Sequence, residues 1–357
     1  MELNLSRVFR KIWHYLPAPS AWKSFVKSYA LKKASPVIDQ SKIYKNWVSA
    51  YPPPENRRRP LYLSSPGREA FRGLSGSPEL MVSIIIPVYN QSEFTLCCLA
   101  SLVFHGSRHS FEVIVVDDAS TDSTQTLVSR IAGVRMVRMP KRSGFIRTCN
   151  EGARMARGRY LVFLNNDTEV TGGWLDALIE PHIKEEAVGI TGPKLVFPDG
   201  RLQDAGTRVG ADGTIETLGR DAAANDPAYN EMREVDAVCG ACLAIQRDLF
   251  LALGGFDIRY APAYREDTDL CFQVRKAGKK VFYQPFSTVI HYESVTASSD
   301  ASQDIRKYQY INQKKFKKKW RKDLEVLSLI NQKNLLFSDN SKSSPRKLEQ
   351  TPDPSLI

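Results

Sequence analysis

From Met81 onward, short apolar runs alternate with amphipathic stretches of helical period, and this alternation restricts the fold more than any other feature of the chain. Val82 to Val88 predicts a buried strand, Glu93 to Val103 a helix, and Phe111 to Asp117 a second strand rich in Val and Ile. Ser120 to Thr124 supplies N-cap residues for a helix reaching Ile131. Val134 to Met139 predicts a third strand, Phe145 to Ala156 a helix, Tyr160 to Leu164 a fourth strand and Trp174 to Lys184 a further helix. Strand and helix taking turns in this way is the pattern of βαβ units around a mostly parallel sheet, so the expected class is α/β with helices flanking the sheet. After Gly192 the pattern loosens into a turn at Pro198-Asp199-Gly200 and a polar, Gly- and Ala-rich loop through Asn225. Long loops of α/β enzymes usually carry function. Order is expected again at Val235 to Ile245, in helices over Arg247 to Leu253 and Asp267 to Ala277, and in strands near Val281 to Gln284 and Thr288 to His291.

The 357 residues carry a net charge of +11. Its distribution is uneven: +9 over residues 1–80, +7 over residues 301–357 and −5 between them. The acidic middle argues against a nucleic-acid groove, and no nucleic-acid partner is expected. Ile84 to Val88 and Val113 to Val116 are among the longest apolar stretches, well short of the roughly 18 residues that span a bilayer. Arg7, Arg10 and Lys11 are not followed by the apolar run and cleavage site of a secretory signal, so a cytoplasmic protein is expected. Of the six cysteines, Cys239 and Cys242 have zinc-ligand spacing, but a tetrahedral site needs four ligands and no second pair accompanies them. They read as packed thiols.

The expected organisation is a basic N-terminal extension with amphipathic helices (1–80), a catalytic domain (81–300), a basic helical segment (301–337) and a disordered polar tail (338–357). Val8, Phe9, Ile12, Trp13 and Leu16 recur at helical spacing among basic residues, as do Trp22, Phe25, Val26 and Tyr29. Such helices either lie on an anionic membrane surface or pack on the domain. Phe316 and Trp320, at i and i+4 within a lysine-rich stretch, predict a helix pinned by its aromatic face.

In an open parallel sheet, ligands bind beyond the carboxyl ends of the strands. That rim would hold Pro87 to Asn90, Asp117 to Ser120, and Asn165 to Asp167. A carboxylate there either binds a ribose, a base or a metal, or only caps the next helix. No Gly-x-Gly-x-x-Gly follows the first strand and there is no Walker A sequence, which removes the usual dinucleotide and P-loop readings.

Val-Ser-Ile-Ile-Ile-Pro-Val-Tyr-Asn, Val-Val-Asp-Asp-Ala-Ser-Thr-Asp and Phe-Leu-Asn-Asn-Asp-Thr-Glu-Val occur in the order and spacing of family 2 glycosyltransferases. Cys239-Gly240-Ala241-Cys242, Gly254 to Asp257, Tyr264 to Leu270 and His291 extend that resemblance over about Met81 to Trp320. Within the family the chain is most similar to bacterial rhamnosyltransferase-like enzymes of surface polysaccharide synthesis. The resemblance implies a GT-A fold and inverting transfer of a sugar from a nucleotide diphosphate donor to the hydroxyl of a saccharide or lipid-linked saccharide. It also implies a Mn²⁺ or Mg²⁺ cofactor held by Asp167 and His291, with Asn165 standing where many members have a carboxylate. Asp267 matches the family's catalytic aspartate, with Glu266 the competing carboxylate, and Gly240 and Ala241 give room to the acceptor. Pro87, Asn90, Asp118, Arg147, Asn150 and Asn166 would line the nucleotide. A helix start favours negative charge, which suits Asp267 as a base. An acceptor on a lipid carrier would be reached from a peripheral position on the inner face of the cytoplasmic membrane. The competing reading is an adaptor for membrane or nucleic acid with an inactive core, which would have no use for Asp118, Asp167, Asp267 and His291 together.

Overall fold

The computed structural model describes residues 80–131, 133–293 and 302–326. The N-terminal extension and the polar tail lie outside the described residues. Strand β1 (Val82–Val88) is wholly buried and pairs in parallel with β2 (Phe111–Asp117) on one side and β4 (Tyr160–Leu164) on the other. β3 (Val134–Arg138) closes that edge. Pro87 is tolerated in this central strand because the β4 pairing stops at Ile85 opposite Phe163, so its missing N–H breaks no ladder bond. Beyond β4 the order runs through β11 (Cys242–Gln246), β6 (Val188–Val196), β12 (Lys280–His291) and β10 (Arg233–Glu234). β11 and β10 run antiparallel to their neighbours, while β6 and β12 pair in parallel. The sheet is therefore mostly parallel, as expected.

Alternate residues of the strands feed two cores. Ile84, Ile86 and Val88 point to the face covered by α1 (Ser92–His105) and α4 (Trp174–Lys184), with Leu99, Trp174 and Leu178 buried between. Ile85, Ile114 and Phe163 point to the opposite face, covered by α3 (Phe145–Met155), α5 (Arg247–Ala252) and α6 (Glu266–Lys276). Gly152 lets α3 lie close on the sheet, since a Cβ there would meet the Ile85 side chain at 2.4 Å. Cys149 and Cys271 pack in one core and Cys98 and Cys242 in the other.

Three expectations need correction. The helix after Asp122 is a single short turn, α2 (Thr124–Val128). The stretch after Gly192 is not a loop: β6 continues to Val196, followed by β7 (Leu202–Asp204), β8 (Thr207–Val209) and β9 (Ile215–Thr217). These strands are too short for period-2 alternation to register. The two strands expected before His291 are one, β12, interrupted by a register shift between Gln284 and Thr288. Finally, α7 (Ser302–Lys319) docks on the α6 side through buried Phe316 and Trp320, the aromatic face read from the sequence.

Candidate active site

A three-residue strand that the sequence did not announce assembles the first half of the site. β5 (Thr168–Val170) pairs antiparallel with the end of β12, setting His291 opposite Thr168, and Tyr292 N–H donates to the Asp167 carbonyl at 3.0 Å. Asp167 and His291 are thereby side by side, with Nε2 3.4 Å from the Asp167 Oδ1 and both side chains buried. Gln203 on β7 holds the ring. Its Nε2 donates to the His291 carbonyl at 3.3 Å, which turns its Oε1 toward His291 Nδ1 at 2.8 Å. Nδ1 is then the donor, and a neutral ring presents the Nε2 lone pair toward the carboxylate. Two Lewis-basic atoms facing each other with an outer hydrogen bond fixing the imidazole is a donor set suited to a divalent cation. Asp167 and His291 could supply two ligands; among the described residues no group of three or more His, Cys, Asp and Glu gathers to hold a metal.

The second half is organised around α6. Asp267 is partly exposed, and its carboxylate accepts from Gly240 N–H at 2.9 Å and Thr268 N–H at 2.6 Å. Gly240 permits this approach, because a Cβ there would stand 3.2 Å from that of Asp267. The next residue, Ala241, is buried, and its carbonyl accepts from Asn165 N–H at 2.8 Å. Gly240 and Ala241 therefore tie the Asp267 side of the site to the Asn165-Asn166-Asp167 side. Glu266 is differently placed. It is buried, and burial, with Asp267 alongside, pushes its carboxyl well above the usual carboxylate range.

The residues expected on the nucleotide side sit at the strand rim, on α3 and in the loops beside them. Asp118 ends up at the strand rim, buried, with Ser143 and Gly144 N–H groups donating to its two oxygens at 2.6 and 2.8 Å; burial outweighs these bonds and raises its carboxyl. Arg142 of the same loop lies 3.8 Å over the Tyr89 ring. Asn166 is buried and donates to Thr95 Oγ1 at 3.0 Å. Asn90 organises the adjacent loop, its Oδ1 accepting from Thr121 N–H at 2.8 Å. Asn150 departs from the expected nucleotide contact: its amide grips the Phe256 backbone from both ends, at 2.8 and 2.9 Å, which makes it a brace between α3 and the loop after α5. Arg147 is exposed on α3.

Three residues that sequence reasoning passed over shape the site. Gln203 orients His291. Its neighbour Asp204 is buried near Asp267, Arg220 and His291, and burial pushes its carboxyl up to about 7. Both sit in the stretch read as a loop. Asn312 on α7 donates from Nδ2 to the carbonyls of Tyr260, Ala263 and Tyr264, holding the loop that enters α6 with Tyr264 and Arg265 at φ 77° and 78°. A lone Asn amid lysines carries no sequence signal for that work.

Residues 83–250 match glycosyl transferase family 2. The chain is 32% identical over 235 residues to the O-antigen biosynthesis protein RfbC of Myxococcus xanthus, covering 63% of this chain and 18% of that one. It is 28% identical over 230 residues to an N-acetylglucosaminyl-diphospho-decaprenol L-rhamnosyltransferase of Mycobacterium tuberculosis, covering 58% and 74%. The chain spans less than a third of the length of two of the curated relatives that it matches. A solved structure of GalNAc-T7 with UDP, GalNAc and Mn²⁺ aligns with a TM-score of 0.52 at 20% identity, over 60% of this chain and 44% of that one, a likeness of fold. Family match, strand order and fold likeness agree: residues 83–250 match glycosyl transferase family 2, and the fold is that of GT-A glycosyltransferases.

Proposed function

We propose that the protein transfers a sugar from a nucleotide diphosphate donor to an acceptor hydroxyl, with inversion at the anomeric carbon, in the synthesis of a polysaccharide or glycolipid. The observation that carries this reading is the Asp167–His291 pair at the carboxyl rim of the sheet, its imidazole oriented by Gln203. Asp167 and His291 would hold Mn²⁺ or Mg²⁺, which when bound supplies a Lewis acid for the negative charge growing on the departing diphosphate. The nucleotide lies along the rim from Asp118, past Pro87, to Asn166.

Asp267 takes the proton of the acceptor hydroxyl while that oxygen bonds to the anomeric carbon and the bond from that carbon to the diphosphate oxygen breaks. Gly240 N–H steadies the carboxylate by holding one of its oxygens. Glu266 suits the base role poorly, because its carboxyl is buried away from an incoming hydroxyl, and burial beside Asp267 raises it well above the usual carboxylate range. The acceptor is a saccharide, free or on a lipid carrier, and in the latter case the basic N-terminal segment holds the enzyme at an anionic membrane surface. No helix among the described residues is long and apolar enough to cross a membrane.

The test is incubation with a panel of nucleotide sugars, reading release of nucleoside diphosphate. Turnover is expected with Mn²⁺ or Mg²⁺ in preference to Ca²⁺, since Asp167 and His291 mix oxygen with nitrogen in a compact site. It should vanish in excess chelator and in Asp167→Ala. Full turnover in chelator would overturn the metal assignment, and no turnover of any donor would overturn the function.

A further inference from the structure

Two lysines of α7 hold it to the domain. Lys315 Nζ donates to the Arg259 carbonyl at 2.6 Å and Lys319 Nζ to Asp257 and Asp269 at 2.9 and 2.8 Å, on the side of the helix that buries Phe316 and Trp320. The other cations face outward. Lys314, Lys317 and Lys318, with Arg321 and Lys322 in the helical residues that follow, are exposed, and among the described residues none of them forms an ion pair. Over residues 307–326 the exposed side chains include six cations and one carboxylate, Glu325. Lys307, Ile311, Lys314 and Lys318 succeed one another at spacings of four, three and four, which sets them on one stripe opposite Asn312, Phe316 and Trp320.

Apolar surface is interleaved with that charge. Tyr310 is 63% exposed, Ile311 38% and Val326 56%, and Lys314 Nζ lies 4.2 Å from the Tyr310 ring centroid. Two counter-surfaces match the sign of the face, the phosphates of a nucleic acid and the headgroups of an anionic membrane. The apolar side chains decide between them: they can enter the boundary between headgroups and acyl chains, whereas a phosphate backbone would leave them in water. We propose that the outer face of α7 docks on an anionic phospholipid surface, its cations over the headgroup phosphates and Tyr310 and Ile311 at the acyl boundary. This face belongs to the folded domain, is separate from the N-terminal segment, and does not depend on the transferase reading. Its consequence for that reading is geometric. Tyr310 borders the same cavity as Asp267, so docking through α7 brings the proposed base beside the membrane, where a lipid-linked acceptor is held.

The full-length protein is sedimented with vesicles of phosphatidylglycerol and of phosphatidylcholine at low ionic strength. Binding to the anionic vesicles is expected. Combining Lys314→Gln, Lys317→Gln and Lys318→Gln should weaken it on the order of 100-fold, as the loss of three surface cations predicts. Combining Arg108→Gln, Lys184→Gln and Lys280→Gln removes the same charge from exposed positions outside α7 and should leave the affinity near that of the wild type. Tyr310→Ser should lower the binding that remains in high salt, where the cations are screened. Matching melting temperatures show that the variants are folded, and Arg321→Gln with Lys322→Gln replaces the α7 triple variant if it is not. No vesicle binding by the wild type, undiminished binding by the α7 variants, or equal loss in the two triple variants overturns the proposal, as does a preference for duplex DNA over anionic vesicles. Donor turnover in solution is scored separately. A protein that turns over a donor but does not dock refutes the docking face alone, whereas one that docks through α7 and turns over no donor refutes the transferase reading alone.

Discussion

Asp267 and Glu266 are adjacent in sequence and opposite in circumstance. One is partly exposed and held by N–H donors; the other is buried with an orphaned oxygen. Asp267→Asn preserves shape and can still accept from Gly240, but it cannot take up a proton, so kcat should fall on the order of 10²- to 10⁴-fold with little change in donor affinity. Glu266→Gln alters a buried side chain that the acceptor hydroxyl does not meet and should keep most of kcat. Steady-state kinetics on the two variants separate them, and the reverse pattern would reassign the base. Asp204 gives a pH signature. Its folded-state carboxyl, raised by burial to about 7, stays protonated where the unfolded chain has ionised, so the native state binds more protons and loses stability as pH rises from about 4 to about 7. Below that window the contribution is fully present, and above it the loss is complete. Melting temperature against pH should therefore fall less steeply for Asp204→Asn across that interval.

At the scale of elements, what could be read in the chain depended on how many residues carried the pattern. β1, β2, β4 and α4 came out at the expected boundaries because each has five or more residues of one period. β5 and β7 have three residues each, too few for any period, yet β5 sets Asp167 beside His291 and β7 delivers Gln203 and Asp204. The candidate carboxylates and the histidine were legible as motif residues, whereas their supports, Gln203 and Asn312, come from segments with no pattern of their own. Asn150 shows the converse, a polar residue in the middle of α3 that serves the backbone of Phe256. Docking of α7 rests on Asp269, which is fully buried and accepts from Tyr260 Oη, Trp320 Nε1 and Lys319 Nζ at 2.7–2.9 Å. Asp269→Ala would strand the Tyr260 and Trp320 donors, while Lys319 keeps Asp257 at 2.9 Å, and should cost about 1–3 kcal/mol for each stranded donor, measurable by urea unfolding.

For the whole molecule, the separation of charge divides an acidic centre from basic ends. If the N-terminal segment holds the enzyme on lipid, deleting residues 1–40 should weaken binding to anionic liposomes and leave donor hydrolysis in solution intact. Salt should mimic the deletion in part, since exposed charges are screened beyond about 10 Å at 0.1 M; unchanged sedimentation with liposomes would favour packing against the domain. The pairing of β5 with β12 has a temporal consequence. Glu169 and Tyr292, hydrogen-bonded across that pair, are 123 residues apart, so closing the contact carries the entropy of a long loop and belongs among the later events of folding. During synthesis the first four strands can gather while the ribosome is still making β12. A nascent chain at that stage has the rim that carries Asp118 and Asn166 but lacks the histidine, and Asp167 meets His291 only once the last strand has joined the sheet.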